Sequence, residues 1–109
     1  MRYRVDTTPN FEREAKKLIK KYKSLKNEIN TLIESLEEMP QQGTHLGDDI
    51  YKIRLAVKSK GKGKRGGARV MTKVKITNEK VFMFSIYSKG EKDDISDKEI
   101  QDLIKEIPL

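Results

Sequence analysis

Apolar residues recur at helical spacing in the first third of the chain and at every second position through much of the last half. Residues 2–6 read as a short strand. Thr8 then offers a side-chain cap, and Pro9 stands at the first helical position, where its missing N–H costs nothing. Phe11, Ala15, Leu18, Ile19 and Tyr22 form one stripe of an amphipathic helix whose other face carries Lys16, Lys17, Lys20 and Lys21. Ser24 is placed to cap a second helix, buried along Leu25, Ile29, Leu32, Ile33 and Leu36 and bounded by Pro40 and Gly43. The short link between the two predicts an antiparallel helical hairpin. The Gly-rich connection that follows, with His45 in it, reads as loop.

From residue 50 the period becomes two. Tyr51, Ile53, Leu55 and Val57 alternate with Lys52, Arg54 and Ala56, predicting a strand over 50–57. A second runs from about 68 to 77, and Asn78-Glu79 makes a tight turn into a third over 80–88, with Phe82, Phe84 and Ile86 on one face. Ser96 and Glu99 form a capping box ahead of Ile100, Leu103, Ile104 and Ile107, so the chain ends in a short amphipathic helix. The predicted order is β-α-α-β-β-β-α. This is an α+β fold, an antiparallel-type sheet with a helical hairpin on one face, and residues 1–109 read as a single domain.

Strand parity assigns the faces. If Ile53, Leu55, Val70, Val74, Phe82, Phe84 and Ile86 point at the hairpin, then Lys52, Arg54, Arg69, Lys73, Tyr87 and Lys89 point away. Five cations and a phenol then share one open surface. Crowded like charges repel, and a bound phosphate backbone relieves that cost. Met71, Val81 and Met83 fall on the same surface, as apolar footholds for the C-terminal helix or a partner. Between the first two long strands, Lys58, Lys60, Lys62, Lys64 and Arg65 alternate with glycines, a pattern fitted to wrapping a phosphate chain.

Charge agrees with that reading. The chain has 24 Lys and Arg against 17 Asp and Glu, a formal net charge of +7, which favours a polyanionic partner. With no cysteine there is neither a disulfide nor a thiolate zinc site. No leader peptide and no transmembrane-length stretch is visible, so a cytoplasmic protein with no membrane partner is expected. The basic loop is not a Walker motif. Asp48-Asp49 and Asp93-Asp94 read as solvated turn residues, and neither a metal nor another cofactor is expected.

Four stretches resemble a known family: Phe11 to Leu18, Tyr51 to Leu55, Gly66 to Val70 and Ile86 to Glu91. Together with the element order they look like the RelE/ParE superfamily of toxins from bacterial type II toxin–antitoxin modules, and the resemblance covers nearly the whole chain. The basic, Gly-rich run over 60–69 is similar to HigB-type members. The resemblance implies a RelE-like fold, a cognate antitoxin as partner, and cleavage of messenger RNA on the ribosome. It places Lys52 and Arg54 against the scissile phosphate, Arg69 on the next strand, and Lys89 in the basic segment after the last strand. Two positions depart from the RelE pattern: Gly90 stands where RelE has an arginine, and Ser96 where it has a tyrosine. ParE-type relatives instead poison DNA gyrase, so gyrase inhibition is the alternative, and a plain RNA-binding module a third.

RNA cleavage of this kind needs no metal. The 2′-hydroxyl attacks its own 3′-phosphate, and fixed cations stabilise the charge that grows on the phosphate oxygens. Arg54 and Arg69 are expected to hold the phosphate. Lys52, crowded by other cations, is the candidate base. Lys89 or Tyr87 is the candidate acid, while Lys73 and the loop cations Lys58, Lys60, Lys62, Lys64 and Arg65 bind RNA.

Overall fold

The computed structural model describes residues 2–61 and 63–108; of Lys64 only the backbone is described. A five-stranded sheet runs in the order β1-β5-β4-β3-β2. Its strands are β1 (Arg4–Thr7), β2 (Thr44–His45), β3 (Ile50–Leu55), β4 (Ala68–Lys75) and β5 (Lys80–Ser88). β1 is parallel to β5, and every other pair is antiparallel. The helices are α1 (Pro9–Lys21), α2 (Leu25–Glu38) and α3 (Asp97–Ile104). None of the described helices is long and apolar enough to cross a membrane.

The helices begin largely where the capping chemistry places them. Thr8 Oγ1 accepts from Phe11 N–H at 3.3 Å, and Ser96 Oγ accepts from Glu99 N–H at 3.1 Å. Ser24 departs from expectation. It is itself helical in conformation and makes no cap bond to the backbone of α2; its hydroxyl bonds Ser59 and Glu28 instead. β3 stops at Leu55, and β4 stops at Lys75, where a 3-10 turn (Ile76–Asn78) leads through a left-handed Glu79 into β5. β2 was not expected. It places His45 in an edge strand, stacked 4.9 Å from the Tyr51 ring, rather than in a loop.

Two apolar clusters lie on opposite faces of the sheet. On one, Phe11, Leu18, Leu25 and Leu36 of the hairpin pack against Ile53, Val70, Val74, Val81, Met83 and Ile86. On the other, Ile50, Met71, Phe82, Phe84 and Tyr87 lie under Ile95, Ile100 and Ile107, around α3. This corrects the expected parity of β5: Val81 and Met83 face the hairpin, while Phe82 and Phe84 face α3. Ile86 nevertheless faces the hairpin, because the strand contains a bulge. Met71 pairs with Ser85 and Thr72 with Met83, which leaves Phe84 as the extra residue. A strict period of two cannot show such a shift.

The bulge falls where β5 loses its neighbour. β1 pairs only as far as Met83, after which Thr8 N–H donates to the Met83 carbonyl and the chain turns into α1. Side chains of α1 then satisfy the bared edge. Asn10 Nδ2 donates to the Phe84 carbonyl at 3.0 Å, and the Glu14 carboxylate accepts from Ile86 N–H at 3.2 Å and Ser85 Oγ at 2.9 Å. Buried backbone groups need such partners.

At the other end of the sheet, Gly67 lies so close to β3 that a Cβ would overlap the Leu55 carbonyl oxygen. The obstacle is backbone and cannot rotate away. Gly67→Ala is therefore expected to cost about 1–3 kcal/mol, read as a lower urea midpoint with an unchanged slope. An unchanged midpoint would show that β3 and β4 can separate here freely.

Candidate phosphate-binding site

Register brings the chemistry together. Arg54 pairs with Arg69, and Arg69 with Tyr87, so the three form one row across β3, β4 and β5. Adjacent strands lie roughly 4.8 Å apart, which makes the row about 10 Å wide. Lys52, two residues before Arg54, shares the face. This is the end of the α3-side face that carries the cations, so the open surface expected from the sequence is only partly open: α3 covers the rest, including Met71.

Each member of the row is differently fixed. Arg69 is only 6% exposed. Its guanidinium donates to the Ala68 carbonyl at 3.2 Å and the Arg65 carbonyl at 2.9 Å, which ties it to the basic loop. Arg54 is exposed. Tyr87 is buried, and its hydroxyl donates to Asp94 Oδ1 at 3.4 Å. The same oxygen accepts from Lys52 Nζ at 3.3 Å and from Ile95 N–H at 2.8 Å.

Asp94 is thus a member of the site that sequence reasoning assigned to a solvated turn. Its carboxyl is held below the usual carboxylate range, first by the Ile95 N–H and then by Lys52. Its neighbours follow the same pattern. Lys89 pairs with Asp93 at 3.6 Å, and Lys92, whose ammonium lies 5.7 Å from the Tyr87 ring centroid, pairs with Glu99. The Lys92 hydrogen bond holds the Glu99 carboxyl below its ordinary range. The expected crowd of unpaired cations is not what the fold builds, since residues 93–99 supply a carboxylate to each of Lys52, Lys89 and Lys92. Lys52 therefore stands in an ion pair with Asp94 rather than among unpaired cations.

The basic loop is more structured than its composition implies. Lys58–Lys60 and Lys64–Gly66 are short 3-10 turns. Lys58 N–H donates to Glu28 at 2.7 Å, and Ser59 N–H to Ser24 Oγ at 2.9 Å, docking the segment on α2. Lys60 turns inward. Its ammonium donates to Ser88 Oγ at 2.8 Å and to the Lys89 carbonyl at 2.6 Å, and lies 5.7 Å from the Tyr22 ring centroid. The Tyr22 phenol is lowered from its ordinary pKa, first by its hydrogen bond with Ser88, with Lys21 and Lys60 adding to it. Lys60 is therefore a strut joining the loop to the end of β5 rather than a mobile binding group. Lys58 and Arg65 are exposed, while Lys62 and the Lys64 side chain lie outside the described residues.

One further expectation changes. Lys73 pairs with Phe82 and donates to the Asp48 carbonyl. It sits four residues along β4 from Arg69, about 13 Å away at strand rise, and does not join the cluster. Ser96 and Gly90, the two departures from the family pattern, have local tasks here: Ser96 caps α3, and Gly90 takes φ 106° in the turn after β5.

A sheet with a helical hairpin on one face and a short C-terminal helix on the other matches the RelE fold. A solved double arginine-to-alanine mutant of E. coli toxin RelE in the free state superposes with a TM-score of 0.63 at 20% sequence identity, covering 99% of this chain and 100% of that one. The family described as RelE toxin of the RelE / RelB toxin-antitoxin system matches residues 3–107, and the chain belongs to that family. No curated protein matches the chain. Family membership makes the chain a toxin of a toxin–antitoxin system and implies an antitoxin partner.

The buried phenol supplies a test of this geometry. Burial first, and the Asp94 charge second, push the Tyr87 hydroxyl up to about 12 from 10.0. A raised folded value means that the protonated phenol is the favoured form. Its stabilising contribution is complete below about pH 10 and is lost as pH rises toward about 12. In a near-ultraviolet phenolate titration, Tyr87→Phe should remove a component that titrates near pH 12. Loss of an ordinary component instead would show that Tyr87 is not buried against Asp94.

Proposed function

We propose that this toxin is an endoribonuclease that cuts messenger RNA, acting on the ribosome, by metal-independent attack of a 2′-hydroxyl on the adjacent phosphate. The observation that carries this reading is the Arg54–Arg69–Tyr87 row with Lys52 beside it. In the reaction the 2′-oxygen bonds to phosphorus and the bond to the 5′-oxygen of the next nucleotide breaks. The 2′-hydroxyl passes its proton to a solvent water, and the leaving 5′-oxygen takes one from Tyr87. Charge builds on the phosphate oxygens, where donors already in place are most effective.

Roles follow from how each group is held. Arg69, clamped by backbone carbonyls, and Arg54, at the exposed edge of the row, bind the phosphate; the planar guanidinium suits its oxygens. Lys52 adds a third cation. Tyr87 stays protonated at neutral pH, so it is equipped to give a proton to the leaving 5′-oxygen rather than to take one from the 2′-hydroxyl; an alkoxide is far more basic than a phenolate. Lys89, at the end of the same face, supports the phosphate on the next nucleotide. Lys58 and Arg65 lie outward on the loop and engage RNA or ribosome, together with their neighbours Lys62 and Lys64. A cytoplasmic site of action follows from that substrate.

Induced expression followed by primer extension on cellular transcripts tests the reading. Cuts within translated messages are expected as growth stops. Growth arrest with intact messages and gyrase trapped on DNA would overturn it in favour of gyrase inhibition.

Substitutions separate turnover from binding. Arg69→Ala is expected to lower cleavage ~100-fold or more, with Arg54→Ala as the exposed counterpart that leaves the fold undisturbed and circular dichroism as the check on both. A folded Arg69→Ala protein with full activity would remove Arg69 from the site. Replacing Lys58 and Arg65 by Ala should instead weaken RNA binding and flatten its salt dependence, by roughly 0.7 in the log–log slope for each phosphate no longer neutralised. An unchanged slope would place the loop away from RNA.

A further inference from the structure

Three cations at the site are already paired with carboxylates from one short segment of the same chain. The central pair is the most informative. Asp94 Oδ1 receives the Lys52 ammonium at 3.3 Å and the Tyr87 hydroxyl at 3.4 Å, so both donors converge on one anionic oxygen. In the mechanism above the same two donors serve one phosphate group, Lys52 at its charged oxygens and Tyr87 at its leaving 5′-oxygen. Yet Asp94 is not locked in place: its side chain is 65% exposed, and it lies in the turn between β5 and α3. Tyr87, by contrast, is only 5% exposed, so RNA reaches its hydroxyl only when this cover moves.

We propose that Asp94 is an internal stand-in for the substrate phosphate, holding Lys52 and Tyr87 converged in the resting toxin and giving both up to the incoming RNA. This rests on the reading of the row as a phosphate site. The flanking pairs Lys89–Asp93 and Lys92–Glu99 belong to the same cover and open with it. The exchange swaps one anion for another, so the donors never face each other unscreened and need little reorganisation as RNA binds. It also makes the resting site a poor binder of small anions, because only a polyanion with several phosphates displaces several carboxylates at once.

Asp94→Asn tests this. The amide keeps the size of the side chain and the acceptor for Ile95 N–H but removes the charge, and Asp94→Ser, which keeps only an acceptor for that bond, guards against an effect special to asparagine. The probe is a short RNA with a 2′-O-methyl group at every position, which cannot be cleaved, followed by fluorescence anisotropy. Asp94→Asn and Asp94→Ser should bind it about 5-fold more tightly, the upper range for displacing a partly exposed ion pair. Asp102→Asn, which removes the same charge from a pair with Lys105 on α3, should change affinity by less than about 2-fold. The gain should vanish when Asp94→Asn is combined with Lys52→Met. If Asp94→Asn binds no more tightly than Asp102→Asn, or keeps its gain in the Lys52→Met background, Asp94 is not a stand-in. Failure of the underlying reading is distinct: the Arg54→Ala, Arg69→Ala double variant would then bind the same RNA as tightly as the unmodified toxin.

Discussion

The structure depends on β5 being buried from both sides. Eight of its nine residues are buried, so it needs a neighbour strand on each edge and an apolar layer on each face. β4 runs along its whole length on one edge. On the other, β1 covers only the first half, and Asn10 and Glu14 of α1 complete it. The hairpin supplies one layer and α3 the other. Burial of a large apolar side chain is worth about 1.5–3 kcal/mol. Phe84, Met83 and Ile86 on this one strand therefore tie both layers to the sheet. The bulge at Phe84 lets the strand send two aromatic side chains to α3 and still return Ile86 to the hairpin.

That constraint delivers the site as a by-product. Once β5 is seated against β4, and β4 against β3, Tyr87, Arg69 and Arg54 have to stand side by side. Precision of this kind comes from a ladder rather than from a loop. The loop then adds support: Lys60 holds the end of β5, and the Arg65 carbonyl holds the Arg69 guanidinium. Gly-rich composition fits a segment that wraps a phosphate chain, yet its first half is docked on the start of α2.

Electrostatically, the site is a set of cations quieted by their own chain. The net charge of +7 describes the whole molecule, whereas Lys52, Lys89 and Lys92 around the row each have a carboxylate within reach. Isolated exposed pairs contribute little to stability, so these pairs do little to hold the fold together. Under the exchange proposed above, a long phosphate chain displaces these carboxylates more readily than a single phosphate does.

The amino-acid sequence by itself determined the elements, because capping residues and apolar period act over a few neighbours. Thr8 with Pro9, the two helical stripes, the alternation through Lys52 and Arg54, and the Ser96 box were all legible, and with them the RelE-like order and the shared face of Arg54, Arg69 and Tyr87. Tertiary structure alone decided the rest. The parity of Phe82 and Phe84 depends on a bulge that forms only where β1 ends and α1 takes over. The short strand holding His45 exists only because β3 offers it an edge. Lys60 reads as one more loop cation until Ser88 and the Lys89 carbonyl are beside it. Asp94 reads as a turn residue until the chain folds back over Lys52, 42 positions away, and Tyr87. Local patterns carry no information about neighbours that far apart in the chain, since what places the two groups together is the packing of α3 on the sheet.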